Sequence, residues 1–110
     1  MEAQAKQTRR KKRCDRTHII YCLTAPDGQQ YVGVTAKSCS TIKKSVDTRW
    51  NKHIYRARSE NHTWTLYEAM RQHGAAAFRV EALEVVRGKA PSHVRERVLT
   101  RELGATLNTA

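Results

Sequence analysis

Acidic residues are scarce in this chain: ten Asp and Glu stand against 21 Lys and Arg in 110 residues, a net charge of +11. So strong a field on so small a protein predicts attraction to polyanions, nucleic acid first and an anionic membrane second. Apolar runs are short. None reaches the length of a signal peptide or a membrane span, so the expectation is a chain that stays in the cell with no membrane partner. Cysteine is sparse as well. Cys14, Cys22 and Cys39 are odd in number and without paired spacing, which excludes a disulfide framework and points to a reducing, cytoplasmic compartment. Cys14 and His18 lie four apart but have no second ligand pair to complete a zinc set. The chain has no internal repeat, glycine-rich phosphate loop, Ser-His-Asp order or paired carboxylates at metal spacing.

What is present begins with a basic arm. Lys6, Arg9, Arg10, Lys11, Lys12, Arg13 and Arg16 face only Glu2 and Asp15, and almost nothing apolar accompanies them. Residues 1–16 cannot repay their ordering entropy and are expected to be a disordered arm that binds phosphates, a solubilising tail or a localisation signal being the alternatives. Residues 17–110 suffice for one domain with a single core.

That domain opens with His18 to Val34, two runs rich in Ile, Tyr, Val and Thr about a Pro26-Asp27-Gly28 turn, which reads as a β-hairpin. Alternation sets Ile19, Tyr21 and Leu23 on one face and Ile20 and Cys22 on the other. Ile42 to Arg58 follows a helical period, with Val46, Trp50, Ile54 and Ala57 as the apolar stripe and Arg49, His53 and Arg56 as a row on its flank. A loop holding His62 leads to Thr65 and Glu68, a capping box, and a short helix that Gly74 stops in the left-handed conformation. Leu66, Ala69 and Met70 face inward. Ala77 to Val86 reads as a third strand through Phe78, Val80, Leu83 and Val85, with a bulge near Ala82. Ser92 caps a last helix running to Leu103 and ended by Gly104. Val94, Val98, Leu99 and Leu103 form its buried side, with Glu96 at the stripe's edge.

Taken in order, these residues resemble the GIY-YIG nuclease family, especially the catalytic domain of its homing-endonuclease branch, over about His18 to Asn108. Ile19-Ile20-Tyr21 stands for Gly-Ile-Tyr, and Tyr31-Val32-Gly33 for Tyr-Ile-Gly. Arg49-Trp50 with His53 matches the Arg and the His one turn on, and His62 falls where that branch often has His. His73-Gly74 and Phe78 repeat its helix end and third-strand entry, while Glu96 and Asn108 match its metal-binding Glu and terminal Asn. Ile19 and Val32 depart from the motif, and the polar stretch from Lys37 to Asp47 is longer than in compact members.

The resemblance implies an α+β fold: a small three-stranded antiparallel sheet flanked by helices, in the order β-β-α-α-β-α. It implies an endonuclease that hydrolyses DNA phosphodiesters, double-stranded DNA being the expected partner. Tyr21, Tyr31, Arg49, His53 and Glu96 would be catalytic, with Gly33, His62 and Asn108 in support. Glu96 would hold one Mg²⁺ or Mn²⁺, and Arg9, Arg10, Lys11, Lys12, Arg13 and Arg56 would bind DNA. Whether Tyr21 or His53 takes the proton stays open, as do dimerisation, cleavage specificity and a role in homing, restriction, repair or phage-type degradation. A catalytically silent, basic nucleic-acid-binding module of the same fold is the alternative.

Overall fold

The computed structural model describes residues 16–59 and 65–108. Strand β1, Thr17–Thr24, is the centre of a three-stranded antiparallel sheet of order β2-β1-β3. Its β-branched and aromatic residues are buried on both faces, as the middle strand of a sheet covered on both sides requires. A turn over Ala25 to Gly28 joins it to β2, Gln30–Ala36. There the Gly28 N–H donates to the Ala25 carbonyl at 2.9 Å, and Asp27 Oδ1 accepts the Gln29 N–H at 3.0 Å. Gly28 takes φ +94°, which a side chain would resist.

Helix α1, Ile42–Ser59, starts at Thr41, whose Oγ1 accepts the Lys44 N–H at 3.1 Å. Helix α2, Thr65–His73, includes Thr65 in its first turn. Gly74 ends α2 at φ 86°, ψ 135°, outside the left-handed helical basin expected for it but in another region that glycine favours. A 3₁₀ turn, Ala75–Ala77, takes up the start of the expected third strand, so β3 is Arg79–Arg87.

Ile20 pairs with Glu84 and Tyr21 with Ala82, leaving Leu83 as the extra residue of the anticipated bulge. The bulge shifts the phase of β3, so Leu83 and Val86 pack inward while Val85 is exposed, against expectation. Helix α3, Lys89–Leu103, begins three residues before Ser92, directly after the N-cap Gly88. Pro91 therefore sits in the first turn, where a missing N–H costs nothing. Ser92 is buried and its hydroxyl donates to the Lys89 carbonyl.

Leu99 packs against the sheet, but Val94 and Leu103 are exposed. Val94 lies roughly 140° from Leu99 around the axis, so one helix cannot turn both inward. Gly104, at φ 61°, ψ 44°, ends α3 with the paired reverse hydrogen bonds of a Schellman stop. The chain then closes in a 3₁₀ turn, Thr106–Asn108.

Two apolar clusters sandwich the sheet. Ile19, Tyr21 and Leu23 meet Val46 and Ala57 of α1 and Leu66, Tyr67 and Met70 of α2 on one face. Ile20 and Val32 meet Ala105, with Leu83, Val86 and Leu99 packed around them, on the other. A tyrosine near the middle of β1 is thereby locked beneath α1, while Glu96 rides on the helix of the opposite face. Among the described residues no helix is long and apolar enough to cross a membrane.

Candidate active site

The site is built on the register of the hairpin. Tyr21 of β1 pairs with Gly33 of β2, and a Cβ on Gly33 would lie 2.6 Å from Tyr21 Cζ and 2.8 Å from Tyr31 Cε2. Only a residue without a side chain lets both phenols close over that spot, so the glycine of Tyr-Val-Gly is there for space. Tyr21 and Tyr31 lie with ring centroids 6.3 Å apart, both against His53, with Tyr31 edge-on to the imidazole at 5.6 Å.

His53 lies on the flank of the apolar stripe of α1, one turn after Arg49. It is buried, because α1 rests on β1 and turns that flank into the sheet. Tyr21 Oη and His53 Nε2 are 2.8 Å apart, and His53 Nδ1 is 3.3 Å from the hydroxyl of Tyr67 on α2. Burial, then the charges of Arg49 and Arg56, push the imidazole pKa from 6.5 down to about 3, so His53 is neutral at physiological pH. A neutral imidazole has one donor and one acceptor nitrogen. The shorter contact is to Tyr21, and the arrangement with Tyr21 donating to Nε2 and Nδ1 donating to Tyr67 satisfies all three groups.

Tyr67 went unforeseen, since its place in the capping box hid its second property. It lies one residue after Leu66 and three before Met70, the inward phase of an amphipathic helix.

Burial also raises the pKa of Tyr21, the neighbouring Tyr31 adds to the rise, and the nearby Arg49 guanidinium offsets part of it. Tyr31 is raised by burial too, with Arg49 opposing and the Glu96 carboxylate reinforcing. Tyr31 is thus the residue at which the fields of Arg49 and Glu96 overlap. Because β2 is a sheet edge, a tyrosine on one face and a carboxylate on the helix of the other come within electrostatic reach. Arg49 Nε is buried without a hydrogen-bond partner among the described residues. A buried cationic donor left unpaired costs about 1–3 kcal/mol or more, which an anion accepting from it would recover.

Asn108 supports the edge strand. Its Oδ1 accepts the Val32 N–H at 2.8 Å and its Nδ2 donates to the Val32 carbonyl at 2.7 Å, so one amide stands in for a missing neighbour strand between Tyr31 and Gly33. Arg56 is partly buried at the rim, near His53. With Thr48, Asn51, Lys52 and Tyr55, it lines a shallow groove on the outer side of α1. His62 and the arm residues Arg9, Arg10, Lys11, Lys12 and Arg13 lie outside the described residues. On α3, Arg95 forms a two-pronged ion pair with Glu84 of β3, and His93 Nδ1 lies 3.3 Å from Glu96 Oε1. Among the described residues there is no group of three or more His, Cys, Asp or Glu that could hold a metal ion.

A three-stranded antiparallel sheet in an α+β unit, with Tyr21 and Tyr31 from its hairpin facing one helix, is the fold of the GIY-YIG catalytic domain. One solved structure it resembles is the catalytic domain of homing endonuclease I-TevI: TM-score 0.65 and 22% identity, over 84% of this chain and 94% of that one. No protein-family model and no curated protein matches the chain.

Proposed function

We propose that this chain is a metal-dependent endonuclease that hydrolyses DNA phosphodiesters, double-stranded DNA being its substrate. The observation that carries the reading is the buried Nε of Arg49, without a hydrogen-bond partner among the described residues, beside two tyrosines, with a carboxylate in electrostatic reach of the second. Hydrolysis needs charge stabilisation on the nonbridging oxygens, an activated water and relief of charge on the departing oxygen.

Arg49, always charged, grips the scissile phosphate and regains the hydrogen bond its Nε lacks. Tyr21 orients the water. Its raised pKa makes a free phenolate costly, so its proton passes to His53 Nε2 as the water gives up its own, in one relay. Burial opposes charge on the imidazole first and Arg49 and Arg56 second; a bound phosphate offsets the arginines and so eases the transfer.

Glu96 suits a hard cation: it is a carboxylate whose charge reaches Tyr31, and its side chain is 22% exposed. A divalent ion there, Mg²⁺ or Mn²⁺, would supply positive charge to the phosphate and the leaving oxygen. Lys52 and Arg56 along α1, and the arm, add affinity for the phosphate backbone.

Nicking of supercoiled plasmid by the full chain tests the reading. Cleavage that requires a divalent metal and drops at least about 10²-fold in Glu96→Gln and in Arg49→Ala, with circular dichroism unchanged, is the expected result. Failure of the unmutated chain to nick with any of Mg²⁺, Mn²⁺ or Co²⁺ would leave a basic binding module and sink the enzyme.

A further inference from the structure

We propose that His93 is a second protein ligand of the cation at Glu96, making this an imidazole–carboxylate site that prefers Mn²⁺ and other first-row transition ions to Mg²⁺. The inference rests on the reading above only in taking Glu96 as a ligand.

His93 and Glu96 lie at i and i+3 on α3, so their side chains are neighbours on one face. Their contact, Nδ1 to Oε1, is 3.3 Å. A charge-assisted bond between an imidazolium and a carboxylate closes to about 2.7–2.9 Å. Two donors bound at adjacent corners of one ion, each at about 2.2 Å, are separated by roughly 3.1 Å. The observed spacing leaves room for both groups to reach one ion with little movement.

Chemistry around the pair agrees. Arg95, the next residue to Glu96, is held by Glu84 through both prongs of its guanidinium, so it does not neutralise Glu96. His93 has Glu96 as its hydrogen-bond partner among the described residues. The side chains are 43% and 22% exposed, which lets an ion enter with most of its waters still bound. On the inner side, the Glu96 charge reaches Tyr31, which also feels the charge of Arg49. A second ligand from the same helix turn needs no rearrangement of the fold.

Selectivity follows from ligand type. Mg²⁺ is satisfied by oxygen and gains little from imidazole, whereas first-row ions gain from it in the order Mn²⁺, Co²⁺, Ni²⁺, Mn²⁺ gaining least. A site of one carboxylate alone would bind Mg²⁺ and Mn²⁺ with similar weakness, and the added nitrogen separates them.

The test reads the metal rather than the reaction. Mn²⁺ is titrated into the full chain without DNA, whose bases carry nitrogen ligands of their own, and the bound ion is observed by electron paramagnetic resonance with pulsed detection of directly bonded ¹⁴N. The unmutated chain should show ¹⁴N modulation and bind Mn²⁺ roughly tenfold more tightly than Mg²⁺ in competition. His93→Gln should lose the modulation and that advantage while keeping its Mg²⁺ affinity, and Glu96→Gln should lose both metals. Modulation unchanged in His93→Gln, absent from the unmutated chain, or Mn²⁺ affinity equal in the two would reduce the pair to a surface contact and overturn the proposal. The nuclease reading fails separately: a chain that shows the His93-dependent signal yet nicks no plasmid keeps the metal site and loses the enzyme.

Discussion

Gly33 shows how much of this site is decided by the absence of atoms. An alanine there must push Tyr21 and Tyr31 apart, and both are packed against His53, so neither can move freely. Gly33→Ala is expected to cost about 1–3 kcal/mol in chemical denaturation and to reduce plasmid nicking far more than that loss of folded protein explains. Tyr21→Phe removes only a hydroxyl. It should leave the fold and DNA binding nearly intact while lowering single-turnover cleavage by orders of magnitude, and cleavage retained in that variant would pass the proton to water or to His53 alone. His53 carries a pH signature. Its folded pKa of about 3 lies below the ordinary 6.5, so between those values the unfolded chain binds the extra proton and stability falls as pH drops. At pH 4.5 the loss is up to about 3 kcal/mol relative to neutral pH, and His53→Gln should flatten that part of the curve when denaturation midpoints are compared at pH 7 and 4.5.

At the scale of elements, the edge strand β2 is the exposed part of the design. It carries Tyr31 and Gly33 yet has a neighbour on one side only, and Asn108 satisfies the other side with two hydrogen bonds to Val32. Asn108→Ala leaves a backbone N–H and C=O to water at the strand's outer edge, an expected cost of about 1–3 kcal/mol. Hydrogen exchange should speed up first at Val32, and cleavage should fall without loss of DNA affinity. Unchanged protection at Val32 would make Asn108 a bystander. Helix α1 serves two masters through one stripe and its flank: Val46 and Ala57 bury against the sheet while Arg49 and His53 meet the tyrosines. Those apolar positions were legible from their period, but the burial of His53 was not, because period alone assigns a flank to either solvent or sheet. The same limit explains α3, whose apolar residues are spread too far around the axis for all of them to turn inward.

For the whole molecule the governing quantity is its charge of +11. If six or more phosphates are neutralised on binding, affinity for duplex DNA should fall roughly 10³-fold or more between 50 and 200 mM salt. Removing residues 1–16 should reduce the slope of log affinity against log salt and leave the single-turnover rate of bound complex unchanged. A slope that survives the deletion would assign the phosphate contacts to α1, where Lys52 and Arg56 flank Tyr55, 67% exposed on the outer face.

The sequence alone determined the elements and their order, the hairpin with its two tyrosines, the bulge in β3 and the basic balance, since each follows from local preference, period or composition. Tertiary structure alone decided which side chains share a space. It buried His53 between Tyr21 and Tyr67, brought the Glu96 charge to Tyr31 around a sheet edge, and spent Asn108 on a strand. These are contacts between residues 14 to 76 positions apart, or between helices on opposite faces, and no local preference encodes them until the two clusters pack.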